Sequence, residues 1–358
     1  MMGQSRVTIA EVARAAGVSN ATVSIVLNGR TGVVSISEAT QATVIAAAQR
    51  LGYTPNYAAR ALRRQRSGVL NLLISTLINP YFTEITAAAH AAAERRDYQL
   101  NIIDVSQAGT KSRALEQLRG GGADGVIVAT GLSNTQGSDL EMLQELVRRG
   151  LPAVLLLDRS PEPAIPGIRV DHNEGLRLGT AHLLGLGHRR VGFLTVDGSY
   201  PPSPGEQTSR ADRFRGYTRA YRDAGLRYEP SWIFQGPSAT LEVGRTLTRA
   251  LLNGPAPRPT AIIAANDQLA IGALRAAYEL GARVPDDLAI LGFGGIELGR
   301  FTNPALSTVD NPRALMGQLA TETLLGLLDG IVPDEIERIL PVQLLVRESC
   351  GAAARGGG

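Results

Sequence analysis

The chain has 358 residues, 44% of them hydrophobic, so two or three domains with a sizeable core are expected. Its 36 basic and 33 acidic residues leave a net charge of +3, and no uncharged apolar run reaches membrane length, which argues against a membrane-spanning chain. The single cysteine, Cys350, excludes an internal disulfide framework and a cysteine-cluster metal site.

The opening residues MMGQSRVTIAEVARAA carry charges where a signal peptide needs an apolar core, so a cytoplasmic location is expected. Ile9, Val12, Ala13 and Ala16 space as the apolar stripe of a short helix, and Thr8 with Glu11 forms the capping box that starts it. Gly17 ends it. Ser19 is the next N-cap candidate, and Val23, Val26 and Leu27 repeat the stripe, so the spacing predicts a helix-turn-helix. Ala21, Ser24, Ile25 and Asn28 gather on the opposite face, with Asn20 beside them. Such a face is either plainly solvated or reaches base edges in a DNA major groove.

After a loop at GRTGVVSI, Ser37 caps a third helix with Val44, Ala47, Ala48 and Leu51 on one stripe, stopped by Gly52. The following YTPNYAARALRRQRSG has one large aliphatic, Leu62, among Arg60, Arg63, Arg64 and Arg66. It reads as a charged linker, or as a hinge whose leucine wedges into a minor groove. Residues 1–66 hold eight arginines against Glu11 and Glu38, a net +6, while the remainder is net −3. Basic charge gathered on one small segment is the footprint of a polyanion binder.

From Val69 onward apolar runs alternate with helical patterns. VLNLLIS precedes a helix over Tyr81 to Arg96, YQLNIIDV one over Lys111 to Arg119, and GVIVAT one over Leu140 to Arg149. AVLLLD and Gly167 to Val170 follow, then a helix over Glu174 to Leu186. RRVGFLTV, WIFQG, TAIIAAN and LAILGFG are separated by helices over Ala211 to Ala224, Leu241 to Leu252 and Gln268 to Leu280. This rhythm predicts parallel sheets covered by helices on both faces, and so many strands need two sheets.

Enzyme signatures are missing. The cluster of Gly120, Gly121, Gly122 and Gly125 precedes a strand instead of following one, unlike a dinucleotide fingerprint. Lys111 is the only lysine, which leaves little for phosphate-loop or Schiff-base chemistry, and His90, His172, His182 and His188 show no metal spacing. These histidines are read as structural or solvent-facing, and no cofactor is expected. Asp158 and Asp267 end apolar runs, where carboxyl ends of strands face a cleft. With Arg213 they suit recognition of sugar hydroxyls, or make a structural ion pair.

The stretches VTIAEVARAAGVSNATVSIVLNG and ATQATVIAAAQRLGYTPNYAARALR, with NPYFTEI, LGHRRVGF, AANDQLAIGAL and LVRES further on, resemble the lactose-repressor (LacI/GalR) family of bacterial transcription regulators. The resemblance spans nearly the whole chain. It implies a three-helix headpiece over 1–53, a hinge helix over 54–66, and an effector-binding and dimerisation domain over 67–350, with a tail at 351–358. That domain is expected to be two-lobed and periplasmic-binding-protein-like, with an N-lobe over 67–167 and 300–328 and a C-lobe over 168–299 and 329–350. The chain would cross between lobes near Pro166 to Asp171, near Gly295 to Thr302 and near Asp329, around a ligand cleft.

With the resemblance, the DNA-contacting set is expected to be Thr8, Ser19, Asn20, Ala21, Thr22, Ser24, Ile25, Asn28, Tyr53, Asn56, Ala59, Leu62 and Arg63. The effector-contacting set is Asn79, Tyr81, Phe82, Asp158, Arg213 and Asp267. Three departures from the family pattern stand out. Ile25 replaces a common arginine, Gly294 and Gly295 replace acids after GF, and Pro237 and Ser238 replace a polar and aromatic pair. The Pro-rich SYPPSPGEQTSR is expected to reshape the wall near Arg213. The expected protein is a cytoplasmic, homodimeric repressor that binds double-stranded, pseudo-palindromic operator DNA under control of a small effector, a sugar or sugar derivative. The alternative is a cytoplasmic solute-binding or sugar-processing protein that shares the two-lobed fold.

Overall fold

The computed structural model describes residues 7–27, 36–53, 66–130, 138–157, 159, 165–198 and 200–351. Asn28, Asn56, Ala59, Leu62, Arg63 and Asp158 lie outside the described residues. The chain divides into two compact units, Met1–Arg66 and Ser67–Gly358.

In the first unit, helices α1 (Ile9–Ala16), α2 (Asn20–Leu27) and α3 (Glu38–Leu51) enclose a small core of Val12, Ala13, Val23, Val26, Val44, Ala47 and Ala48. The capping box forms as its spacing predicts: the Glu11 amide donates to Thr8 Oγ1 at 3.4 Å and the Thr8 amide donates to Glu11 Oε2 at 2.7 Å. Gly17 and Gly52 both close their helices at φ 66°, the left-handed region where only glycine is free of Cβ strain. Ser19 Oγ accepts from the Thr22 amide at 3.1 Å and starts α2.

The second unit holds two six-stranded sheets. The first has order β11-β5-β4-β3-β1-β2 and the second β12-β10-β9-β8-β6-β7. The first sheet comprises β1 (Val69–Ile74), β2 (Gln99–Asp104), β3 (Gly125–Ala129), β4 (Ala153–Leu156), β5 (Gly167–Val170) and β11 (Glu337–Leu340). The second comprises β6 (Val191–Val196), β7 (Ile233–Gly236), β8 (Ala261–Ala264), β9 (Ala289–Gly294), β10 (Ser307–Asp310) and β12 (Gln343–Leu345). All pairings are parallel except β10 with β12. The helices are α4 (Tyr81–Glu94), α5 (Thr110–Arg119), α6 (Ser138–Arg148), α7 (His172–Gly185), α8 (Ser209–Asp223), α9 (Leu241–Asn253), α10 (Asp267–Glu279) and α11 (Arg313–Leu328).

Pleating explains why the inner strands read as unbroken apolar runs. Leu72, Ile74, Ile127, Val154 and Leu156 point into the main core, while Leu73, Val126, Val128 and Leu155 point into a separate cluster with Leu115, Leu118, Leu143 and Leu146 of α5 and α6. Both faces are covered, so neither can be polar.

The lobe boundaries differ from the sequence reading. The first crossing, between β5 and α7, falls where it was expected, although β5 itself belongs to the first sheet. The second lies at residues 311–312, because β10 is in the second sheet, so 300–310 belongs to the C-lobe. The third lies at 341–342, because β11 is an edge strand of the first sheet, so 329–340 belongs to the N-lobe. Edge strand β11 is mostly exposed and offers no apolar run to read.

Three helix pairs pack with a glycine against the partner's backbone. A Cβ at Gly317 of α11 would fall on the Ile85 carbonyl oxygen of α4, one at Gly216 of α8 on the Asn173 carbonyl oxygen, and one at Gly244 of α9 on the Leu269 carbonyl oxygen of α10. Gly317→Ala should therefore destabilise by about 1–3 kcal/mol despite the better helix propensity of alanine, because a backbone carbonyl cannot step aside. Gly326, at the other end of α11, has nothing nearer its Cβ position than Ile331 Cβ at 3.9 Å. Gly326→Ala should stabilise by about 0.5–1 kcal/mol. Urea unfolding of both variants gives opposite signs if this packing is right, and the same sign if it is not.

Candidate functional site

In the first unit, Ser19, Asn20 and Ala21 are exposed and Thr22, Ser24 and Ile25 are half-buried, while Val23 and Val26 of the same helix are in the core. Ile25 is absent from the apolar side chains packed on that core, although its neighbour Leu27 is among them. The face expected to meet DNA is therefore the outer face of α2. Thr8 is exposed but its hydroxyl is engaged with Glu11 at 2.9 Å, and Thr22 Oγ1 pairs with Ser19 Oγ at 2.9 Å. Tyr53 packs against the core of this unit.

In the second unit a cavity of about 280 Å³ opens at the carboxyl ends of the strands. Ser75 after β1 and Leu157 after β4 reach it from the first sheet, and Phe293, Asn266 and Asn311 at or after β9, β8 and β10 from the second. Leu157 is held at φ 92°, an unusual conformation for a side-chain-bearing residue and one that clusters at functional sites. Of the expected effector-contacting residues, Asn79, Tyr81, Phe82, Arg213 and Asp267 all line this one cavity. Thr208, Ser209 and Arg210 line it too, so the Pro-rich segment ends in its wall.

Asp267, the first residue of α10, is 2% exposed. Its Oδ1 accepts from the Thr308 hydroxyl at 2.5 Å and its Oδ2 from the Ile296 amide at 2.8 Å. Burial raises its carboxyl to about 6, against the lowering effect of those donors. Each carboxylate oxygen thus already holds a protein donor, whereas the sequence pattern suggested a group aimed at a solute. Gly292 faces Asp267 Oδ1 and leaves room for no side chain.

Arg213 of α8 stacks over the Phe293 ring with its guanidinium carbon 5.1 Å from the centroid. His172, the first residue of α7, tilts against the same ring at 5.5 Å. It is 3% exposed and lies within reach of the Leu157 backbone. Burial first, then Arg213 and Arg169, hold its imidazole well below the ordinary histidine range. Reading His172 as merely structural missed its place in the cavity. The signal was available: like Asp267, it follows the carboxyl end of an apolar run. The other described histidines fit the bland reading, with His90 exposed, His182 Nε2 at 3.3 Å from Cys350 Sγ, and His188 Nδ1 at 3.0 Å from Thr260 Oγ1.

Beside the cavity-lining Asn311 lies a buried guanidinium. Arg313 Nη2 donates to Glu84 Oε1 of α4 at 2.9 Å, and Nη1 donates to Asp310 Oδ1 of β10 at 2.8 Å and to the Gly294 carbonyl of β9. A Cβ at Gly295 would collide with Asp310 Oδ1 and Arg313 Nη1, which accounts for the double glycine after Phe293. Asn311 Nδ2 donates to the Tyr81 hydroxyl at 3.0 Å, joining the crossing segment to the first lobe. No cluster of metal-ligating side chains occurs among the described residues. No helix among them is long and apolar enough to cross a membrane.

The pattern described as bacterial regulatory proteins, lacI family, matches residues 8–56, and that of a periplasmic binding protein-like domain matches 180–350. The chain is 33% identical over 349 residues to the transcriptional regulator MalR of Streptomyces coelicolor, covering 96% of this chain and 97% of that protein. It is 32% identical over 351 residues to the ribose operon repressor of Haemophilus influenzae, covering 96% and 98%. Among solved structures, a lac repressor dimer bound to operator and the anti-inducer ONPF matches with TM-score 0.79 and 28% identity over 97% of this chain and 99% of that one. A complex of the regulator CelR with cellobiose matches with TM-score 0.70 and 28% identity over 96% and 100%.

Burial of Asp267 makes stability depend on pH in a defined direction. Its folded-state value lies above the ordinary 3.8, so its contribution favours folding while it is protonated and is lost as pH rises through about 6. From about pH 5 to 7.5 the stability of the wild type relative to Asp267→Asn should fall by on the order of 1 kcal/mol. Urea unfolding at the two pH values measures this difference. A gap that stays constant or moves the other way contradicts the assignment.

Proposed function

We propose that this chain, which belongs to the lacI family of bacterial regulatory proteins and is a DNA-binding transcription regulator, acts as a homodimeric, cytoplasmic repressor. Its hold on a pseudo-palindromic operator is set by a small solute, a sugar or sugar derivative, in the cavity between its two sheets. The observation that carries this is the cavity wall itself. Asn79, Tyr81 and Phe82 come from the first lobe and Arg213, Asp267 and Phe293 from the second, so one solute touches both. A ligand that binds one arrangement of the lobes better than another shifts the balance between them.

Arg213 supplies fork-shaped donors for solute oxygens, and Asp267 holds the α10 end and the Ile296 backbone in place around them. Arg213→Ala should abolish the response of DNA binding to the solute while leaving operator affinity within about twofold. Loss of folding instead would show Arg213 to be a packing residue.

At the DNA, Ser19, Asn20, Ala21, Ser24 and Ile25 form the reading surface, supported by their outward placement on α2. A C2 dimer carries two such surfaces to two half-sites. Isoleucine offers no hydrogen bond and suits a thymine methyl, whereas arginine pairs with O6 and N7 of guanine. Selection of binding sites from random DNA should return a two-fold related site with no guanine requirement opposite Ile25. Ile25→Arg should prefer guanine there by about 1–3 kcal/mol. Identical selected sites would show that Ile25 does not read bases, and no selected site at all would favour the solute-binding alternative.

A further inference from the structure

The size of the cavity and one buried acceptor in its wall narrow what the solute can be. A cavity of about 150 Å³ is filled by benzene, so one of about 280 Å³ has room for roughly eleven heavy atoms, a single pyranose or furanose ring and about half a disaccharide. Tyr81, Phe82, Leu157, Phe293 and Ile296 bound that space with bulky side chains.

Asn311 lines the cavity from the second lobe crossing and is 2% exposed. Its Nδ2 donates to the Tyr81 hydroxyl at 3.0 Å, while the Tyr81 proton is directed at Met316 Sδ, 3.8 Å away. The Tyr81 oxygen is therefore the acceptor of the pair, which fixes the Asn311 amide with its nitrogen toward Tyr81 and its oxygen away. Asn311 Oδ1 is left as a buried acceptor with no donor among the described residues. Other oxygens of the same wall are taken: both of Asp267 accept from Thr308 and Ile296, Asn266 Oδ1 from the Leu269 amide, and Asn79 Oδ1 from the Tyr81 amide. Leaving a buried acceptor unmet is costly, so a group that brings it a donor is favoured there. A hydroxyl does so and still offers lone pairs to the Arg213 guanidinium.

We propose that the solute is a polyol of one ring, the size of a monosaccharide, and that one of its hydroxyls donates to Asn311 Oδ1. Asn311 is then a specificity residue outside the set expected from the sequence. This rests on reading the cavity as the effector site. Because Asn311 belongs to a segment that joins the two lobes, the contact also ties the solute to the connection between them.

Calorimetric titration of the full chain with glucose, galactose, mannose, ribose, xylose and arabinose, beside maltose, cellobiose and lactose, tests the size. At least one monosaccharide should bind about tenfold or more tighter than every disaccharide. Singly deoxygenated analogues of that monosaccharide test the contact. Removal of one hydroxyl should weaken binding about tenfold, and fluorine at the same carbon should not restore it, because fluorine accepts but cannot donate. In Asn311→Leu, or in Asn311→Ala should the first variant misfold, the parent and that deoxy analogue should bind within about twofold of each other. Disaccharides binding as well as monosaccharides overturn the one-ring size, and a gap that persists in the Asn311 variants overturns the contact; either result leaves the effector-site reading standing. Binding of no sugar overturns the polyol. Sugar binding that Arg213→Ala leaves untouched lies outside the cavity and overturns the effector-site reading itself.

Discussion

The Arg313 guanidinium is the interaction on which the second unit most depends. A buried cation is tolerated when it is paired, and here the acceptors for its two Nη groups come from elements far apart in sequence: Glu84 of α4, Asp310 of β10, and the Gly294 carbonyl of β9. The residue sits at the second of three crossings between the lobes, so one side chain ties a helix of the first lobe to strand ends of the second. The same demand explains local sequence. Gly295 must lack a Cβ because Asp310 and Arg313 fill that space. Asn311, next in the chain, reaches Tyr81 and carries the connection into the cavity wall.

Around that tie, Asp267 and His172, two of the buried titratable groups of the cavity wall, are both pushed toward their neutral forms, Asp267 upward and His172 downward. Burial is the leading cause in each case. The cations nearby act in opposite senses on the two, relieving Asp267 and further disfavouring a charged His172.

Much of this was legible from local pattern. The capping box at Thr8, the stripes of α1 to α3 and the apolar runs of the inner strands all follow from side-chain spacing, because each buries a face against its neighbours. Seven of the eight described helices of the second unit begin and end within about two residues of the periodicity, as terminal fraying allows, while α11 was not read. Carboxyl ends of strands pointed correctly to the neighbourhood of Asp267, and the family resemblance to Arg213. What stayed hidden has physical reasons. Edge strand β11 is mostly exposed and offers no apolar run, and β10 is only four residues long, so two lobe crossings were displaced. His172 and Arg210 are single polar residues whose place in the cavity wall appears only when helix starts converge. Arg313 and Glu84 lie 229 residues apart, and no local rule connects them.

In the proposed function, solute in the cavity and operator on the headpiece are coupled equilibria of one protein. Coupling of binding is reciprocal, so it is measured from both sides. Operator affinity is determined with and without saturating solute, and solute affinity with and without saturating operator, using the selected site and the tightest-binding solute. The two ratios should be equal and differ from one by roughly fivefold or more. Two ratios of one, with both ligands bound, would show that the cavity does not govern DNA binding.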